Sequence, residues 1–322
     1  MTTVSPATSA DGFHATQTAQ RADELVRALF EAVNADDSDA TDAVLSRSLL
    51  SYEVHGLRTR TGLKRYFSGL HQSFSDLRFE VHENIGVLVD NDLVAVRTII
   101  TGTHSGDYAG VPATGASIQT SASHVFRVKD DKLAEHWLIV DTYRILVALG
   151  AIPGVANAFQ QILGVAESPG GLFPERLGTR FDAPVKRHVA SEESRSAVRR
   201  LYDGVFTTGK VEDVDAVAEG YIQNSGWTPD GRDVFAKALA ISRGAMPDGL
   251  ALQTHVIAEG NRISSRSVWD GTVTGNGRAA DFTAHDFFRI DEDGRIAEHW
   301  ETVDWVRLYQ SFGMLPDDVR DL

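Results

Sequence analysis

The chain has 322 residues, about the length of two ordinary domains, and 42% of them are apolar, enough for full hydrophobic cores and too many for a disordered chain. Asp and Glu total 45 against 31 Lys and Arg, and the resulting net charge of −14 argues against nucleic acid or an anionic membrane as a main partner. There is no cysteine, so disulfides, thiolate nucleophiles and Cys-ligated metals are excluded.

Residues 1–19 are rich in Thr, Ser and Ala, with neither a basic start nor an apolar core. They read as a flexible tail, not a signal peptide. No run approaches 18 apolar residues, so no membrane span is expected, and the expectation is a soluble, cytoplasmic protein. Ala22 to Val33 places Leu25, Leu29 and Val33 on one stripe of an amphipathic helix. A short strand around Tyr52 and a second helix over Leu63 to Phe74 follow. Alternating, β-branched segments then predict strands over Leu77–Val81, Leu93–Gly102, Ser117–Val128 and Lys132–Val140. Asp130-Asp131 is turn chemistry. A short last helix has Asp141 at its N-cap position and Gly150 just past its end. The next stretch, Pro153 to Pro184, carries four of the nine prolines and one apolar helical run, Val155 to Leu163.

The chain then repeats itself. Glu135 to Pro153 reads EHWLIVDTYRILVALGAIP and Glu298 to Pro316 reads EHWETVDWVRLYQSFGMLP. Eight of these 19 positions are identical, where chance gives about one. Earlier landmarks set Tyr52 and His55 on Tyr221 and Asn224, and Gly62 on Gly231. Val198, Leu201 and Val205 form the second helical stripe, Asp291 to Gly294 a second hairpin turn, and Asp304 and Gly313 a second pair of helix ends. The predicted organisation is a tail (1–19), a first domain (20–153), a linker with a short helix (154–193), a second domain (194–316) and a C-terminal tail (317–322). Helices first and an antiparallel sheet afterwards argue for an α+β fold with helices over one sheet face. Two copies on one chain can sit as an intrachain pseudo-dimer, with further homo-oligomerisation left open.

Three stretches of the first copy, GTHSGDYAGVPATG (Gly102–Gly115), HVFRVKDDKLAEHWLIVD (His124–Asp141) and LVALGAIP, carry a family resemblance. In the second copy YIQN (Tyr221–Asn224) and DFFRIDEDGRIAEHWETVD (Asp286–Asp304) carry it again. Together they resemble the SnoaL-like polyketide cyclase family of the NTF2-like, ketosteroid-isomerase-like superfamily. The resemblance implies two tandem cone-shaped half-barrels, each a curved antiparallel sheet packed on helices around an apolar pocket. It also implies acid–base side chains and no cofactor. Where family cyclases commonly read EHWD, with the Asp as the acid/base group, this chain has Leu138 in the first copy and Glu301 in the second. The fold hosts isomerases, cyclases, epoxide hydrolases and non-catalytic modules alike.

Strand alternation sets His136, Leu138 and Val140 on one face, and His299, Glu301 and Val303 on the equivalent face. A His and a carboxylate two apart on a pocket-facing strand can share a proton, as acid–base catalysis needs. The plainer alternative is a His bonded to a neighbouring element and a Glu301 in a solvated mouth. The first copy offers His55, His104, His124 and His136 as acid, base and oxyanion donor, or as polar lining of a wet cavity. Asp286 stands at the His124 position. Tyr52, Tyr221, Asn224 and Leu138 are candidates to line the ligand site. The histidine spacings lack a compact metal signature, and no metal is expected. Asp141 and Asp304 read first as helix caps, and Trp137 and Trp300 as core. The expected function is a cyclase- or isomerase-type acid–base enzyme acting on a small, apolar carbonyl compound. A non-catalytic small-molecule-binding module and an epoxide or ester hydrolase stand as alternatives.

Overall fold

The computed structural model describes residues 10–53, 56–152, 189–224 and 230–319. The first half begins with α1 (Ala10–Asn34), which starts inside the stretch read as a tail. Once the Leu25, Leu29 and Val33 stripe is buried, the Ala- and Gln-rich residues ahead of it extend the helix at little cost. Then come α2 (Ser38–Val44), β1 (Leu45–Glu53), β2 (Gly56–Thr59), α3 (Arg60–Ser73), β3 (Arg78–Val81), β4 (Val87–Asp90), β5 (Leu93–Thr103), β6 (Ser117–Lys129), β7 (Lys132–Val140) and α4 (Thr142–Ala148). Residues 154–188 of the expected linker, with its short helix, lie outside the described residues.

In the second half α5 (Ser191–Arg199) runs directly into a π-helical segment, Arg200–Thr207, and a 3₁₀ turn, Val211–Ala216. β8 (Val217–Gln223), α6 (Arg232–Ala245), β9 (Leu250–Glu259), β10 (Arg262–Thr272), β11 (Ala279–Ile290), β12 (Ile296–Val303) and α7 (Trp305–Ser311) complete it.

The first sheet has the order β2-β1-β7-β6-β5-β3, with β4 also on β5, and the second β8-β12-β11-β10-β9. The sheets are mixed and not wholly antiparallel: β1 runs parallel to β7, and β8 parallel to β12. Alternation reads the same in either direction, so the sequence pattern does not reveal this pairing. β1 and β8 share one burial alternation, with Ser51 opposite His136 and Gln223 opposite His299. Leu49 and not Tyr52 is therefore the counterpart of Tyr221.

The repeated motif has one structural job per residue. Glu135 and Glu298 accept from Arg127 Nε and Arg289 Nε at 2.8 and 2.7 Å across the β6–β7 and β11–β12 hairpins. Asp141 and Asp304 cap α4 and α7, each accepting the N–H three residues on at 3.1 Å. Gly150 and Gly313 take φ of 71° just past those helices, where a side chain would be strained.

Trp137 and Trp300 face the partner sheet. The two sheets pack face to face through Leu88, Ala95 and Val125 of the first half and Ile257, Phe287 and Trp300 of the second. Trp300 meets His82 edge-on at 5.9 Å, and Trp137 meets His255 at 4.2 Å, so each half offers its Trp to a His of the other. α4 and α7 meet through Tyr143 and Tyr309, ring centroids 5.0 Å apart. The halves form an intrachain pseudo-dimer.

Trp300→Ala would remove the more deeply buried member of the tryptophan pair at this interface. The expected loss is about 3–5 kcal/mol in urea unfolding. A loss under about 1 kcal/mol would show that sheet-on-sheet packing does not depend on it.

Candidate functional site

The inner face of the first half belongs to one continuous apolar cluster. It runs from Leu29 and Phe30 of α1 through Phe67, Phe126 and Leu138 to Tyr143, and takes in Val306 and Tyr309 of α7. His124 and His136 lie wholly buried within it. Their rings bond each other, His124 Nδ1 to His136 Nε2 at 3.0 Å. Thr98 Oγ1 meets His124 Nε2 at 3.1 Å, and Ser51 Oγ meets His136 Nδ1 at 2.9 Å. With Ser51 donating at one end and Thr98 accepting at the other, both rings are satisfied as neutral imidazoles. Phe126 stacks on His136 at 4.4 Å, and the edge of Phe30 meets His124. Burial holds the His124 pKa down to about 3 and His136 well below the usual imidazole value.

The other first-half candidates are scattered. Tyr52 points to the interface side of the sheet, where its ring stacks on Trp137 at 5.3 Å, because it stands one residue off the inward parity of Ser51. His104 braces the Gly102–Gly115 loop, its Nδ1 accepting the Thr114 N–H at 3.1 Å. Leu138 is 4% exposed and pairs with His124 across the strands. His55 lies outside the described residues.

The core of the second half is split. One apolar cluster, with Val198, Leu201, Phe235, Phe288 and Ile296, fills the end of the cone beneath α5 and α6. Another, with Met246, Phe282, Ala284 and Val303 and flanked by Trp269 and Trp305, lies toward α7. Along paired strands β11 and β12 the inward residues run from Phe288 and His299, through Asp286 and Glu301, to Ala284 and Val303. The polar pair thus sits between the two clusters.

Asp286 is the hub of this layer. The Tyr202 hydroxyl donates a short hydrogen bond to its Oδ2, and His299 Nε2 donates to its Oδ1 at 2.8 Å. His299 Nδ1 in turn meets the Tyr221 hydroxyl at 2.9 Å. Burial and the nearby Asp286 carboxylate push both tyrosine hydroxyls well above the ordinary phenol range, with Glu301 adding to the effect at Tyr221. Both therefore act as donors at neutral pH. Glu301 stands beside Asp286 in register and is 8% exposed, the most of this group. Burial first, and then the Asp286 charge, pushes its carboxyl well above the usual carboxylate range. Asn224 is buried at the end of β8, its N–H on the His299 carbonyl at 2.9 Å.

The halves therefore share one frame and hold different chemistry. Phe30 stands beside His124 where Tyr202 stands beside Asp286, and Leu138 stands where Glu301 stands. Phe126 and Phe288 stack on the two equivalent histidines alike, at 4.4 and 4.5 Å. Tyr202 escaped the sequence reading, although it directly follows Leu201 of the predicted buried stripe. It projects from the π-helical segment, a local widening common where a helix serves a site. Ser265 and Ser267, two apart on β10, also face this layer: Gln253 Nε2 donates to Ser265 Oγ at 2.7 Å and Ser267 Oγ lies 3.4 Å from Tyr202 Oη.

The ligand atoms of Asp286, His299 and Glu301 lie within 4.8 Å of one another, close enough to meet on one cation among the described residues. Two of the three already bond each other and a tyrosine apiece, bonds an ion would have to displace. A cleft between α1, α2 and α3, lined by Asp37, Thr41, Lys64 and Phe67, includes none of these groups. No described helix is long and apolar enough to cross a membrane.

A family model described as SnoaL-like polyketide cyclase matches residues 23–149 and again 196–312. The crystal structure of AclR, a candidate hydroxylase from Streptomyces galilaeus, is 27% identical over 42% of this chain and 98% of its own, with a TM-score of 0.39. That of IdmH, a candidate polyketide cyclase from Streptomyces antibioticus, is 26% identical over 41% of this chain and 99% of its own, with a TM-score of 0.37. TsrD from Streptomyces laurentii is 21% identical over 41% and 97%, with a TM-score of 0.38. Among curated proteins, none matches the sequence.

The neutral His124–His136 pair has a consequence for acid stability. An imidazole depressed in the folded state binds fewer protons there than when unfolded, so its stabilisation is complete above about pH 6.5 and is lost as pH falls toward 3. His82 and His255, held to about 4, add the same dependence. The double variant His124→Gln, His136→Gln should therefore lose less stability than the parent between pH 7 and pH 5, read as urea midpoints. An equal loss would mean that the pair is not held neutral.

Proposed function

The chain belongs to the SnoaL-like polyketide cyclase family, and from that premise we propose that its second half is a cofactor-independent acid–base enzyme acting on a small, apolar carbonyl compound. One observation carries the reading: Tyr202, Asp286, His299, Tyr221 and Glu301 form a polar layer across an otherwise apolar cone. Of these groups Glu301 is the most exposed, and it stands two residues from Val303 of the apolar cluster toward α7.

Glu301 is the base. Its raised carboxyl pKa brings it toward the working pH, where a carboxylate removes a proton from carbon effectively. It takes the proton next to the carbonyl. The Tyr221 hydroxyl, now given to His299, is the donor placed to turn toward the enolate oxygen. The protonated Glu301 then returns its proton, either to another carbon of the same system (isomerisation) or to the alkoxide formed when the enolate carbon closes on a second carbonyl (cyclisation). Asp286, held by Tyr202 and His299, stands beside Glu301 and raises its carboxyl pKa, which strengthens Glu301 as a base.

For the first half we infer a structural role. Leu138 replaces the carboxylate, and the two histidines are sealed and mutually satisfied.

The test is hydrogen–deuterium exchange next to the carbonyl of apolar aryl ketones such as α-tetralone, followed by NMR in D₂O. The wild-type rate should rise with pH through a value well above the usual carboxylate range, as Glu301 ionises. Glu301→Gln should lower it at least about 100-fold with the fold intact. His124→Gln should leave it unchanged. Exchange that survives Glu301→Gln removes the assignment, and tight binding without exchange points to a binding module.

A further inference from the structure

We infer that Arg97, a residue of the first half, is a positioning residue for Glu301 in the second: its guanidinium crosses the inter-sheet interface and holds β12 at the position of that carboxyl. The inference rests on the acid–base role proposed for Glu301, but the contact itself is independent of it.

Arg97 stands on β5, on the face turned toward the second sheet, and is wholly buried. Its Nη1 donates to the Glu301 carbonyl at 3.0 Å and to Thr302 Oγ1 at 2.6 Å, and its Nη2 donates to Ser121 Oγ on its own sheet at 2.8 Å. Ser123 Oγ adds a second link to Thr302 Oγ1, at 2.7 Å. The planar fork thus ties two first-half strands to the backbone that carries Glu301. A cation buried this deeply is expensive, and burial lowers its pKa to about 9.

The pseudo-symmetry supplies an internal comparison. Arg266 holds the matching place on β10, but it is 9% exposed and its Nη1 bonds Thr254 Oγ1 of its own sheet. The half toward which it would reach carries Leu138 in place of Glu301. The arginine that crosses is the one that faces the half with the acid.

Its charge also bears on that acid. The ionisable groups around the Glu301 carboxyl are Asp286 and His299 on the sheet, Tyr202 and Tyr221 beside them, and Asp141 with Arg144 at α4. Burial, Asp286 and Asp141 raise the carboxyl, and Arg97 and Arg144 oppose them. Arg97 therefore keeps Glu301 ionisable in an apolar cone.

The test reads the Glu301 carboxyl directly, by infrared difference spectroscopy across pH, its band identified by loss in Glu301→Gln. This readout needs no turnover, so it stands or falls apart from the proposed reaction. Arg97→Gln keeps a donor for the Glu301 carbonyl and removes the charge. It should move the titration of the band upward by about one pH unit or more, and Arg97→Lys should return it toward the wild-type position. Arg266→Gln should leave it in place. Should Arg97→Gln fail to fold, Thr302→Val removes one arm of the contact and should broaden and shift the same band. An unmoved band in folded Arg97→Gln, in Thr302→Val, or an equal shift in Arg266→Gln, overturns the inference.

Discussion

A β-strand sends successive side chains to opposite faces, and in this molecule both faces of the central strands of each sheet are covered. One face lies on its own helices and the other on the sister sheet. Along the central strands inward residues therefore line the cone and outward residues meet the interface, whereas Leu252 and Val268 at the far end of the second sheet stay exposed. His136 and His299 line cones, whereas Trp137 and Trp300, one residue on, bind the halves together. A single-residue slip in either strand would exchange these roles, which is why the EHW run tolerates so little change between the copies.

Within that frame the halves part over how they treat buried polarity. The first neutralises it: two imidazoles satisfy each other and two hydroxyls, and an apolar core closes around them. The second keeps two carboxylates in register and surrounds them with a histidine and two tyrosine donors. Two carboxyl groups side by side in an apolar cone disfavour charge on Glu301, so the arrangement costs stability that a purely structural half avoids. Two copies on one chain permit that division, because the inert half supplies the surface on which the polar half is built.

Much of this was legible in residues, because it depends on periodicity and local chemistry. The repeat, the two caps at Asp141 and Asp304, the turn glycines and the shared face of His299 and Glu301 all follow from short-range rules. The partner of each strand was less accessible. The parallel pairing of β1 with β7 joins residues some eighty positions apart and leaves no local trace. It sets the true correspondence of Leu49 with Tyr221, and so sends Tyr52 to the interface instead of the cone. Tyr202 was hidden for a related reason: a helix stripe shows that a residue is buried, not which strand it will meet.

The sequence by itself determined the two copies, the α+β order of their elements and the exchange of Leu138 for Glu301, since each is a matter of composition and spacing along one strand. The tertiary structure alone decided that Asp286, Tyr202 and His299 converge and that Arg97 reaches across to Glu301 from the other half. Such convergence is set by strand register and by the packing of one sheet on another, and these arise from long-range burial that no short stretch of sequence encodes.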